Sequence, residues 1–210
     1  MSNLKENLDY EIDWRIGEIA TMKKLINSQK LNQKELLMIK KYSIASLYSI
    51  WEGFVGKSFE YYIDEINFLQ IKTAEICLSI LTHTIDSQLQ LKNERKDFST
   101  KCKLVEKLFN YVSNDTIVIS KNLPTDSNIN FKVINNIFEW FNFSRRLDKT
   151  YESDLNFFLK VRNDIAHGEF SIMVDENEIY RFCSVVINLM SEVALIIISE
   201  YQEKNYLRTN

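Results

Sequence analysis

Arginine, asparagine and histidine fall close together at Arg162, Asn163 and His167 in the run VRNDIAHGEF, Val161–Phe170. Arginine holds phosphate oxygens through paired N–H donors, and histidine exchanges protons near neutral pH. Metal-independent cleavage of RNA needs such groups: a proton leaves the 2′-OH, charge builds on the non-bridging phosphate oxygens, and the departing 5′-oxygen gains a proton. On a helix Asn163 and His167, at i,i+4, share a face, whereas Arg162 and His167 lie roughly 140° apart. One copy therefore offers a divided constellation, which a two-fold partner bringing the same stretch close would complete; a homodimer is expected.

The surrounding residues say how the three would be held. Gly168 directly follows His167 and can take the left-handed conformation that stops a helix. That puts His167 at the negative end of the helix dipole, which favours imidazolium. Phe158, Val161 and Ile165 flank Arg162, so its guanidinium is expected to snorkel into a cleft. Asn163 is positioned to orient His167 one turn along or to donate to phosphate; Asp164 is a weaker participant.

One proline and four glycines in 210 residues predict long uninterrupted helices. Apolar residues at Leu8, Ile12, Ile16, Ile19, Met22 and Ile26 mark an amphipathic first helix from Leu4 to about Ser28. A second runs from about Gln33 to Leu69, with a bend expected near Gly53 or Gly56. It carries Trp51-Glu52-Gly53-Phe54 in an apolar and aromatic setting, where Glu52 is either a half-buried acid or a solvated helix residue.

Further helical patterns cover Thr73–Leu91, Leu104–Val112 and Phe131–Phe143, then a helix opened by Glu152-Ser153-Asp154 and a closing one over Asp175–Glu203. Thr116–Ile119 is a brief β-branched stretch, Lys121–Asn130 with the one proline is a loop, and Ser171–Val174 is a short connection. The expected architecture is all-α: one domain over 1–210, a bundle of four or five main helices with a loop-bearing insertion at about 113–130.

A net charge of −3 excludes a generally basic nucleic-acid coat, so any contact with RNA must be local. Lys92 to Lys107 is the most basic section but is diluted by Glu94, Asp97 and Glu106, which reads as a solvated surface or a local phosphate contact. Cys77, Cys102 and Cys183 lack metal-ligand or disulfide-framework spacing and are expected as reduced core residues; His83 has no ligand partner at metal spacing and reads as structural. No cofactor is expected. The N-terminus lacks a signal-peptide pattern, and the apolar run Val185–Ile198 is interrupted by Asn188, Ser191 and Glu192, so a buried helix, a cytoplasmic protein and no membrane contact are expected.

VRNDIAHGE fits an Arg-x4-6-His motif with a polar residue directly after the arginine, and in this it resembles the HEPN superfamily of helical nucleases, above all the MAE-like branch of prokaryotic toxin and defence proteins. LYSIWEGFVGKSFEYYIDEI is similar to that branch's early helix with a glutamate before glycine and an aromatic, and KNLPTDSNINFKVINNIFEWF resembles its asparagine-containing loop and following helix. The resemblance implies a metal-independent endoribonuclease working as a homodimer on RNA, with Arg162 and His167 in the active site, Asn163 beside them and Glu52 as an auxiliary acid. It also implies a possible antitoxin or other defence-system partner. The alternative is a non-catalytic module that binds RNA, a nucleotide or a defence partner.

Overall fold

In the computed structural model, which describes residues 3–89, 98–113, 116–123, 125, 128–168 and 175–208, Asn32 starts the longest helix. Its Oδ1 accepts from the Glu35 N–H at 3.0 Å while Glu35 Oε2 accepts from the Asn32 N–H at 2.8 Å, a reciprocal cap that satisfies two donors a helix start leaves open. The helices among the described residues are α1 (Leu4–Ile26), α2 (Gln33–Phe68), α3 (Leu78–Leu89), α4 (Phe98–Ser113), α5 (Phe131–Trp140), α6 (Glu152–Ala166) and α7 (Glu176–Gln202). Short 3-10 turns stand at Thr73–Glu75 and Lys149–Tyr151. The fold is all-α; the nearest thing to a sheet among the described residues is the pair of isolated bridges Lys72 to Thr116 and Ile76 to Leu207.

With 36 residues, α2 is about 50 Å long. It continues without a break through Gly53 and Gly56, where the sequence predicts a bend. α7, α1 and α6 pack around it, and α7 also lies against α1. Tyr48, Trp51, Phe54, Phe59 and Tyr62 point from α2 into this core and are fully buried. Near the C-terminal end of α2, Phe59 and Tyr62 meet Phe141 and Phe143 with ring centroids 5.1–5.8 Å apart, distances at which edge and offset stacking are favourable.

The loop-bearing stretch is fastened to α2 rather than looping away. Asn67 clamps Ile119 on both sides, accepting from its N–H at 2.7 Å and donating to its carbonyl at 3.1 Å; the Trp51 indole donates to the Ile129 carbonyl at 3.0 Å. Ile117, Ile119 and Ile129 enter the core. α3 holds the same stretch from its other side: buried His83 lies 3.2 Å through Nε2 from the Ser120 carbonyl and stacks with Trp140. The structural reading of His83 is what the geometry supports.

Two expectations need correction. In α1 the buried stripe is Leu4, Leu8, Glu11, Arg15, Ile19 and Ile26, so Ile16 faces outward and a charged pair takes the inward positions. Cys77 and Cys183 are buried, but Cys102 is exposed on α4; all three are free thiols. The β-branched stretch Thr116–Ile119 is irregular: Thr116 forms an isolated bridge with Lys72, the Ile117 N–H bonds the Ile71 carbonyl at 3.2 Å, and Asn67 holds Ile119.

α7 is long and apolar enough to cross a membrane by length and composition, yet it packs on α1 and α2 and buries Ile179, Phe182, Val186, Leu189, Val193 and Ile197 against the protein core. Lys92, Arg95 and Lys96 of the basic section, Ser171–Val174, and Glu169-Phe170 at the end of the motif lie outside the described residues.

Candidate active site

α6 begins with Glu152 and Asp154 in its first turn, where negative charge complements the helix dipole, and its Leu155, Phe158, Val161 and Ile165 are buried. That buried face turns Arg162 towards α2. Its Nη2 stands 3.8 Å from Glu52 Oε2, and both side chains are about one-quarter exposed (24% and 25%). The Arg162 guanidinium carbon also sits 4.8 Å from the centre of the Tyr48 ring, one turn before Glu52 on α2. A cation over an aromatic face is attracted by the ring quadrupole, more so when water is partly excluded.

Asn163 completes the arrangement, its side chain turned to Arg162 and not to His167. Its Oδ1 accepts from Arg162 Nη1 at 2.7 Å, so the amide orients the arginine; only its backbone carbonyl reaches the next turn, accepting from the His167 N–H at 2.9 Å. Arg162 is thus gripped by a carboxylate, an amide and an aromatic face. Asp164 is half-buried on the same turn.

His167 is the C-terminal cap residue of α6 and is exposed. Gly168 follows with φ +83°, the left-handed conformation expected of it, and its N–H bonds the Ile165 carbonyl at 3.1 Å. Among the described residues His167 makes no ion pair with Glu52 or Asp164. Within one protomer, then, Glu52, Arg162 and Asn163 come together, while His167 faces solvent at the helix end.

Tyr48 was not legible as part of this site. Its phenol is pushed up to about 12, first by burial and then by the Glu52 charge, so at neutral pH it serves as an uncharged platform. The available signal was its i,i+4 spacing from Glu52, which puts both on one face of α2. A second unexpected group lies between α1 and α2. There Glu11 pairs with Arg15 and accepts from the Trp14 indole and the Tyr61 hydroxyl, each at 3.1 Å. Burial alone would raise the Glu11 pKa, but the bonds and charge of Arg15, with Trp14 and Tyr61, bring it below the ordinary glutamate value. Arg15 Nε reaches the Ile50 carbonyl at 3.3 Å, fixing α1 to α2 two residues before Glu52.

Among the described residues no three His, Cys, Asp or Glu side chains are grouped so as to hold a metal ion. The arrangement's chemical capacity is to receive an anion with paired donors at Arg162 and to exchange protons at an exposed imidazole. Comparison with curated proteins and with solved structures gave no match. A family model described as HEPN, MAE_28990-like, matches residues 4–206, which takes in every helix and both ends of the site. The chain belongs to the MAE_28990-like HEPN family.

Proposed function

We propose that the protein is a metal-independent endoribonuclease that acts in the cytoplasm as a toxin or antiviral defence effector and cleaves RNA in a cleft shared by two protomers. The observation that carries this reading is the presentation of Arg162: held by Glu52 at 3.8 Å and Asn163 at 2.7 Å over the Tyr48 ring, on the helix that ends at an exposed His167. Family membership supports it further.

In the proposed reaction, neutral His167 of one protomer takes the proton of the 2′-OH as that oxygen forms a bond to phosphorus. Arg162 donates to the non-bridging oxygens, where negative charge accumulates, and Glu52 and Asn163 keep its guanidinium aimed. The bond from phosphorus to the 5′-oxygen breaks, and the partner's His167, as imidazolium, supplies the proton to the leaving oxygen. The products are a 2′,3′-cyclic phosphate and a free 5′-hydroxyl. An enzyme of this kind needs restraint in its own cell, by an antitoxin or another defence-system partner.

The test is cleavage of RNA in EDTA by the wild type, His167→Ala and Arg162→Ala. Each substitution should lower the rate by about 10²–10⁴, the range for loss of a general acid or base or of an oxyanion donor. Undiminished cleavage by both variants contradicts the assignment. A second reading, a non-catalytic module that binds RNA, a nucleotide or a defence partner, draws on the lack of contact between His167 and the Glu52–Arg162 pair in one protomer. It predicts equal RNA affinity for wild type and His167→Ala, with no product from about pH 5 to about pH 9.

A further inference from the structure

The Phe157 ring on α6 is backed by the core but not covered. It lies against Phe182 of α7 with ring centroids 5.8 Å apart and planes within 15°, yet the residue is 43% exposed. Phe182 is itself buried and stacks on Phe158 at 5.0 Å; Phe158 meets Tyr48 at 5.6 Å, and Tyr48 carries the Arg162 guanidinium. The outer ring is thus the open end of a packed aromatic series whose other end is the candidate site. Core packing, and not a loop, fixes its position relative to Arg162.

The ring has cations for neighbours. Arg181, next to Phe182 in the chain, has its guanidinium carbon 4.9 Å from the centre of the Phe182 ring. Asp154 holds it at 2.5 Å, and its side chain is 50% exposed. Lys160, one turn beyond Phe157 on α6, is exposed. Lys160 and His167, seven residues apart, lie within about 20° of one line along the helix, with half-buried Asn163 and Asp164 between them. A path from Phe157 past Lys160 to His167 therefore follows one side of α6 for about 15 Å.

A single ring among polar neighbours, Ser153, Asn156 and Lys160, offers far less than the roughly 1,000 Å² that a specific protein partner buries. It suits one nucleobase. Any unpaired base can stack on a flat, rigid ring while a cation beside it holds the phosphate.

We propose that Phe157, with Lys160 and Arg181, is a nucleobase-stacking subsite that holds unpaired RNA a few nucleotides from the cut. It rests on the reading of Arg162 and His167 as the RNA site, and adds to it a requirement for strand length. At about 3.4 Å per stacked nucleotide, the path of about 15 Å spans about four nucleotides, and fewer in an extended strand. A dinucleotide at His167 does not reach the ring, whereas a strand of about six nucleotides does. A duplex shows a protein its base edges and not its base faces, so paired RNA gains nothing from the ring.

The test is the affinity of a fluorescent oligoadenylate of about ten nucleotides, read by anisotropy in a His167→Ala background so that cleavage does not intervene. Phe157→Leu keeps an apolar side chain against Phe182 but has no ring, and should weaken binding by about tenfold or more; Phe157→Trp should bind at least as well as the parent. Lys160→Ala should flatten the slope of log affinity against log salt by about 0.7, the loss of one phosphate contact on a single strand. The same strand paired with oligouridylate should bind equally to all Phe157 variants. Equal single-strand affinity in the parent and Phe157→Leu, a loss of the same size on the duplex, or an unchanged salt slope in Lys160→Ala overturns the proposal. Phe157-dependent binding by a protein whose wild type cuts no RNA leaves the subsite standing and overturns the ribonuclease reading. Cleavage of the single strand by Phe157→Leu at the wild-type kcat/KM does the reverse.

Discussion

At the scale of single residues, the candidate site depends on how one guanidinium is aimed. Tyr48 contributes through its ring, over which the Arg162 guanidinium sits, while its buried hydroxyl stays protonated. Tyr48→Phe keeps that ring and should therefore leave cleavage near wild type. Tyr48→Leu removes the aromatic face and should reduce the rate several-fold, in line with about 0.5–2 kcal/mol for such a contact. Parallel rate and urea-denaturation measurements on the two variants check this; a slow Tyr48→Phe would mean that the hydroxyl matters. The residues bearing unusual chemistry, Arg162, His167 and Glu52, were legible because charged groups among apolar neighbours stand out in a sequence. What Asn163 does was not, since i,i+4 spacing gives a shared face while the rotamer sends the amide to its neighbour Arg162.

At the scale of elements, α1 shows where pattern reading fails. A search for apolar positions selects Ile16, but the inward stripe passes through Glu11 and Arg15, which neutralise each other and find Trp14, Tyr61 and the Ile50 carbonyl. Glu11→Leu strands a buried arginine and should cost about 3–5 kcal/mol, whereas the double change Glu11→Leu with Arg15→Met should recover most of that. Equal losses in the single and double variants, measured in urea, would show that packing and not charge sets the cost. The link between α3 and the stretch near Ser120 has its own pH signature. Burial lowers the His83 pKa below 6.5, so the unfolded chain binds the proton more readily. Its stabilising contribution is complete above that pH and declines as pH falls through 6.5 towards the lower folded value. Glu11 and Glu200 are lowered from 4.5, so they keep their contributions until pH falls below that value. Between about pH 7 and pH 5 the urea midpoint should drop further for wild type than for His83→Phe; identical slopes would remove His83 as the cause.

For the whole molecule, scarcity of glycine and proline made an all-α chain readable, and the periodicity of seven segments anticipated the helices described. The loop-bearing stretch was harder, because its attachment runs through single groups, Asn67 to Ile119 and Trp51 to Ile129, that carry no periodic signal. The helical-wheel separation of Arg162 from His167 was readable too, and the protomer keeps them apart: one is turned to α2, the other stands exposed at the end of α6. The central claim is that the two act together only across a pair of protomers. Subunit mixing tests it most directly: wild-type and His167→Ala proteins are unfolded together in varied ratios, refolded and assayed on RNA in EDTA. The account predicts a rate that falls as the square of the wild-type fraction, because a mixed dimer lacks one of the two imidazoles that each cleavage uses. A rate that falls in simple proportion to the wild-type fraction would contradict it.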